Sequence, residues 1–315
     1  MQEVSCPLLW MGSVWRRKRQ NIYYIYKEGY KMNPREFLKD KKRIVIKIGS
    51  SSLVHKETGE LDLMRIEKLI RILSDLKNQG KDVVLVSSGA IVVGCKALGL
   101  KKRPEVLSMT QACAALGQLE LMMLYQKLFL EYNHRAAQVL LTFDVITSQE
   151  RRINATNTLK QLLDLDVIPV VNENDTVATE EIEFGDNDTL SAIVASLIGA
   201  DLLVLLTDID GLYTDDPRKN PDAKKLSVVE KIDARMLDMA KGTGSGYGTG
   251  GMFTKLSAGR IATDVGADMA ICDSSDLNII NQLLEGEDVG TLFLAHNDDS
   301  FDVTEFIVNK KYLER

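Results

Sequence analysis

The chain has 315 residues, 45% hydrophobic and 27% charged, proportions ordinary for a soluble globular protein. That length is one large domain or two small ones, and it suffices to bury a sizeable core. A net charge of −6 argues against nucleic acid as the main ligand, since such proteins carry a basic footprint. A small anion needs only local positive charge.

The first thirty residues differ from the rest. Both tryptophans, Trp10 and Trp15, lie there, ahead of the basic run Arg16-Arg17-Lys18-Arg19. A signal peptide puts its charge before its apolar stretch, and here the order is reversed. The apolar piece is also too short to span a membrane. Residues 1–40 therefore read as an extension, either a disordered tail or a misassigned start with translation beginning at Met32.

Strand-like and helix-like runs then alternate. Ile44–Ile48 is β-branched and ends in Gly49-Ser50-Ser51-Ser52. Leu63, Ile66, Leu69, Ile70 and Leu73 follow at helical spacing, and Gly80 closes that helix. Val83–Val86 is a strand leading through Ser87-Ser88-Gly89 into a helix, and Met109–Phe129 is a long apolar helix. Ala137–Leu141 reads as a strand, Thr156–Leu165 as a helix and Val167–Val171 as a strand. Leu190, Ile193, Val194 and Leu197 share a helical face, and Asp201–Leu206 is apolar enough to be covered on both sides. Asp215-Asp216-Pro217 is a turn signal. Residues 241–251 are rich in Gly, Ser and Thr; Lys255–Val265 is helical again, and Asp268–Cys272 and Thr291–Leu294 are strands. Such alternation predicts an α/β fold, a three-layer αβα sandwich around a mainly parallel sheet. Ligands of such sheets bind beyond the carboxyl ends of the strands.

The loops at those ends combine glycine with hydroxyls, amides, carboxylates and two lysines. Lys47 beside Gly49–Ser52, Ser87-Ser88-Gly89 at a helix start, and Gly242–Gly251 leading to Lys255 are three candidate anion nests. One such turn is weak evidence; three along one sheet edge suit a nucleotide and its acceptor. Neither the spacing G-x-x-x-x-G-K-[ST] nor the dinucleotide fingerprint is present. Two acidic loops, Asn172–Thr176 and Phe184–Thr189, complete the set. A helix N-cap would explain one Asp or Asn of the second loop, but not three polar residues in a row. The four cysteines and three histidines are scattered and fit no metal-ligand spacing, which leaves thiols in a reducing compartment and no metal site.

Taken together these motifs resemble the glutamate 5-kinases of the amino-acid kinase family. Ile46-Lys47-Ile48-Gly49-Ser50, Ser87-Ser88-Gly89-Ala90, Asn172-Glu173-Asn174-Asp175, Gly185-Asp186-Asn187-Asp188, Leu206-Thr207-Asp208 and Gly248–Lys255 occur in that family's order, between about Arg43 and Leu294. The resemblance implies transfer of the γ-phosphoryl group of ATP to the side-chain carboxylate of glutamate, the first step of proline synthesis. It implies catalytic roles for Lys47, Lys255 and Asp188, and glutamate binding by Ser88, Asp175, Asn187 and, as a further member, Asn172. Nucleotide binding would fall to Lys47, Gly49, Thr207, Asp208 and the stretch Thr249, Gly250, Gly251, Met252, Phe253, Thr254 and Lys255. Mg²⁺ would be bound through the ATP phosphates. The resemblance also implies a cytoplasmic homo-oligomer, dimer or tetramer, with proline as feedback inhibitor. The lability of a glutamyl phosphate product points to contact with a glutamyl phosphate reductase that consumes it, and charge and composition point to neither nucleic acid nor membrane as partner. The kinase domain is expected over 41–296, with 297–315 a short tail in place of the β-rich PUA domain many members carry. Phe253 stands where the family has a small residue. A kinase with a different acceptor, and a sensor that binds an amino acid without turnover, are the alternative readings.

Overall fold

The computed structural model describes residues 33–177, 186–217, 219–240 and 251–313, with the side chains of Met239 and of 309–313 left aside. Of residues 1–40, read as an extension or misassigned start, residues 1–32 lie outside that range, as does the glycine-rich loop with Thr249 and Gly250; residues 33–40 are ordered against the sheet.

Among the described residues eight strands form one sheet: β1 (Arg43–Ile48), β2 (Asp82–Ser87), β3 (Ala136–Leu141), β4 (Ile168–Glu173), β5 (Leu202–Thr207), β6 (Val228–Val229), β7 (Asp268–Asp273) and β8 (Thr291–Phe293). Their order is β3-β4-β2-β1-β5-β7-β8-β6. Every pairing is parallel except β7 with β8. The chain builds outward from β1 on one side, then returns to add β5 on the other. β1 is therefore the switch point, where a crevice opens beyond the strand ends.

Ten helices cover the sheet among the described residues: α1 (Leu63–Asn78), α2 (Ala90–Ala97), α3 (Leu107–Glu131), α4 (Asp144–Thr147), α5 (Gln149–Asp164), α6 (Asn187–Ile198), α7 (Ala234–Ala240), α8 (Met252–Asp264), α9 (Ile279–Leu284) and α10 (Val303–Leu313). Strand side chains alternate between faces. Ile44, Ile46 and Ile48 of β1 enter a core with Leu69, Leu121 and Ile280 of α1, α3 and α9. Val45 enters the opposite core, with Leu159, Leu190, Val194 and Ile261 of α5, α6 and α8. Two cores, one on each face of the sheet, make the three-layer αβα arrangement expected of the sequence.

The strand readings agree with the structure to within two residues. The helix expected over Thr156–Leu165 starts earlier, at Gln149, because the Ser148 hydroxyl accepts from the Arg151 N–H at 3.4 Å and caps it. Its first turns are polar and largely exposed, so they leave no apolar period to read. The short elements α4, α7, α9 and β6 were missed for the same reason: too few residues to show a period.

Both chain ends of the described fold are fastened to the sheet. A 3₁₀ segment, Pro34–Asp40, precedes β1. Its buried Arg35 guanidinium donates to the main-chain oxygens of Ser227, Glu287, Val289 and Gly290. After β8, residues of the expected tail form α10, where Ile307 is buried and Phe306 packs against the core, as does Phe301 just ahead of the helix. The buried Asp264 carboxylate meets both Arg260 and His296, and Arg260 lies 5.7 Å from the Phe301 ring centroid.

Candidate active site

Alternation along β1 decides where Lys47 points. Val45 faces α6 and α8, so Lys47, two residues on, faces the same layer at the crevice end. There Asp188, in the first turn of α6, meets it: Lys47 Nζ lies 2.6 Å from Asp188 Oδ1. Lys255, in the first turn of α8, comes from the other side, with Nζ 3.2 Å from Asp188 Oδ2. The Thr254 hydroxyl donates to the same carboxylate oxygen at 3.3 Å and to the Gly251 carbonyl at 2.8 Å. Asp188 is 1% exposed, Lys47 8% and Lys255 5%. Burial pushes the Asp188 carboxyl up, but the ammonium groups of Lys47 and Lys255 outweigh it and hold the value at about 2. One carboxylate thus gathers two cations at the sheet's switch point, a net positive charge.

The N-cap of α6 is Asp186, whose Oδ1 accepts from the Thr189 N–H at 2.7 Å. That frees Asp188 from capping and leaves its carboxylate for the lysines. Asn187, between them, turns the other way. Its Nδ2 donates to Ser88 Oγ at 2.7 Å and to Asn172 Oδ1 at 3.0 Å. So Ser88 from the loop after β2, Asn172 from the end of β4 and Asn187 from the start of α6 form one hydrogen-bonded group beside the lysine pair. Ser88 is set by Gly89, which caps α2 at φ 107°, a left-handed conformation natural only to glycine. Asp175 stands three residues beyond Asn172 and lines a cavity of about 240 Å³ with Gln118, Gln138, Glu173 and Asn174.

The expected nucleotide residues are distributed around the same edge. Thr207 ends β5, on the face that carries Leu205, and its hydroxyl donates to Asp208 Oδ1 at 3.1 Å. A Cβ on Gly49 would come within 3.7 Å of Lys47 Nζ, so this turn lies against the lysine. Gly251 is the N-cap of α8. Met252 and Phe253 are half-buried and pack against the core. Gln118 was not singled out in the sequence. It sits mid-helix with no motif around it, yet its Oε1 accepts from Asn172 Nδ2 at 3.1 Å. Ser274, whose hydroxyl lies 2.6 Å from that of Ser52 across the ends of β1 and β7, is a second residue without a sequence signal.

The model of the amino acid kinase family matches residues 42–273, which span β1 to β7 and every residue of this site. The chain belongs to the amino acid kinase family. Within that family its relatives are glutamate 5-kinases. It is 51% identical over 265 residues to the "Glutamate 5-kinase" of Clostridium perfringens, covering 83% of this chain and 98% of that one. It is 53% identical over 259 residues to that of Carboxydothermus hydrogenoformans, covering 82% and 69%. With that of Listeria innocua it shares 49% over 269 residues, covering 84% and 97%. Among solved structures, the isopentenyl phosphate kinase of T. acidophilum, in a product complex, superposes with a TM-score of 0.55 at 18% identity, over 80% of this chain and all of the other. UMP kinase from Bacillus anthracis gives 0.55 at 18%, over 82% and 97%. At that identity the two structures show the amino acid kinase fold alone.

No group of three His, Cys, Asp or Glu side chains among the described residues could hold a metal ion. Asp188, the carboxylate nearest the lysines, has each of its oxygens against an ammonium group. Nor is any helix among the described residues long and apolar enough to cross a membrane. Cys95, Cys113 and Cys272 are free and buried, and burial raises the Cys95 thiol to about 11 and Cys272 to about 12.

Proposed function

We propose that this member of the glutamate 5-kinases transfers the γ-phosphoryl group of ATP to the side-chain carboxylate of L-glutamate, with Lys47, Lys255 and Asp188 as the catalytic group. The observation that carries the reading is the buried Asp188 carboxylate between Lys47 and Lys255, next to the Ser88–Asn187–Asn172 group. A glutamate carboxylate oxygen forms a bond to the γ-phosphorus while the bond from that phosphorus to the β–γ bridging oxygen breaks, and ADP departs. The acceptor is already an anion, so no base has to remove a proton. The barrier is the approach of two anions and the charge that gathers on the leaving oxygen. Lys47 meets the transferring group and Lys255 the β-phosphate. Asp188 fixes both ammonium groups before substrates arrive, so no reorganisation is needed at the moment of reaction.

ATP would enter with Mg²⁺ bound through its own phosphates, a reading that family membership supports. Thr207, Asp208, Gly49 and the stretch from Thr249 to Lys255 hold the nucleotide; Ser88, Asn172, Asp175 and Asn187 hold glutamate. Family membership supports cytoplasmic location, a homo-oligomer, proline as feedback inhibitor and a glutamyl phosphate reductase as the next enzyme.

The test is ADP release by the purified protein with ATP, Mg²⁺ and glutamate, with hydroxylamine present to trap the acyl phosphate. Glutamate-dependent hydroxamate, suppressed by proline, is the expected result. ADP formed only with another acceptor would move the substrate while keeping the fold, and no turnover with any acceptor would favour a sensor.

A further inference from the structure

The polarity of the Ser88–Asn187–Asn172 group is set from outside it. Gln138, on the exposed edge of β3, accepts from Gln118 Nε2 at 3.3 Å, which turns Gln118 Oε1 toward Asn172. Asn172 Nδ2 donates to that oxygen at 3.1 Å, so Asn172 Oδ1 must face Asn187. Asn187 then spends both amide protons, one on Asn172 Oδ1 at 3.0 Å and one on Ser88 Oγ at 2.7 Å. Its own Oδ1 is left as an acceptor, and Ser88, having accepted, keeps its hydroxyl proton to give. An acceptor beside a donor is what the ammonium and carboxylate of an α-amino acid require. If Asn172 were reversed, its N–H groups would face those of Asn187. Asn187 would have to turn round and present N–H groups to the ammonium. Asn172 is 4% exposed, so no bulk water can replace a lost partner.

We infer that Gln118, anchored by Gln138, is a positioning residue that fixes the orientation of the Asn172–Asn187 amides and so the recognition of the acceptor's ammonium group. Gln118 does not touch the reacting atoms. It acts through two amides, from a helix that belongs to neither acidic loop. The inference rests on the glutamate reading above and adds the feature that distinguishes an amino acid from a plain dicarboxylate.

Its test compares L-glutamate with glutarate, which lacks the ammonium group, as hydroxamate-forming acceptors. Gln118→Met keeps the side-chain volume and removes the acceptor oxygen. It should raise the KM for glutamate about tenfold, as expected for a buried amide left without its partner. The KM for ATP should stay near the wild-type value, the thermal midpoint should fall by only a few degrees, as for one buried donor left without its partner, and the preference for glutamate over glutarate should fall by about tenfold. Gln138→Met, at an exposed position, should shift the same preference by about threefold, as the loss of one partly exposed hydrogen bond. An unchanged preference in either folded variant would overturn the inference. So would a loss of thermal stability with both KM values rising together, the mark of a structural residue. Wild-type protein that yields no glutamate hydroxamate would remove the glutamate reading itself, and this inference with it.

Discussion

Asp188 is a buried carboxylate whose two nearest cations come from segments 141 and 67 residues away in the chain. Its carboxyl, held at about 2, lies below the ordinary value of roughly 3.9 in an unfolded chain. A depressed folded-state value means that its charge stabilises the fold above about pH 4, and that the contribution is lost as pH falls from there toward 2. Asp188→Asn should therefore be less stable than the wild type at about pH 6, and the gap in urea midpoint should narrow below about pH 4. A gap of constant size across that range would show that the charge is not what Asp188 contributes. Lys47→Ala and Lys255→Ala should lower kcat by about 10²–10³-fold, because each removes a charge that matters most when the leaving oxygen becomes anionic. Their KM for glutamate should change little, and near-wild-type turnover in either would sink the assignment.

Helices α2 and α3 are the elements that would hold the proposed glutamate site most indirectly. They pack at backbone distance. A Cβ added at Gly94 would lie 1.8 Å from the Cys113 oxygen, and one at Gly117 1.9 Å from the Ala90 oxygen. Ala90 opens α2 directly after Ser88 and Gly89, and Gly117 precedes Gln118, so this close approach holds both residues at the site. Gly117→Ala should force the helices apart, at a cost of about 3 kcal/mol. Urea unfolding should report that loss, and the KM for glutamate should rise while the KM for ATP stays. A variant of wild-type stability and unchanged glutamate KM would show that the contact is slack.

At the scale of the whole molecule, the two ends of α8 do different work. Its N-terminal turn carries Thr254 and Lys255 into the site. Its C-terminal half carries Arg260 and Asp264, which clamp the segment leading to α10. Nine residues, from Lys255 to Asp264, separate these functions by roughly 13.5 Å at about 1.5 Å per residue. Asp264→Ala leaves Arg260 and His296 without their carboxylate and should cost about 3–5 kcal/mol, the scale of breaking a buried ion pair. Scanning calorimetry should show a lower thermal midpoint, with kcat and both KM values retained at a temperature where the variant is folded. A fall in kcat at unchanged stability would mean instead that the clamp reaches the site.

Local pattern was enough for the αβα class, for every strand but the two-residue β6, and for the loops at their carboxyl ends. Ile44–Ile48 and Leu202–Leu206 are apolar on both faces because both faces are covered, and that signal is written in consecutive residues. Lys47, Asp188 and Lys255 were legible as candidates because each sits beside a strand end or a helix start. Their meeting at one carboxylate was not, since it follows from strand order and from the face on which residue 47 emerges. Asp186 rather than Asp188 is the cap of α6, a choice made by backbone angles that composition does not reveal. Gln118 left no mark, because the role inferred for it comes from a side-chain contact across to Asn172 of β4 rather than from its neighbours in sequence. Local chemistry is encoded within a few residues; juxtaposition is decided by how the sheet orders its strands and how closely two glycine-faced helices approach.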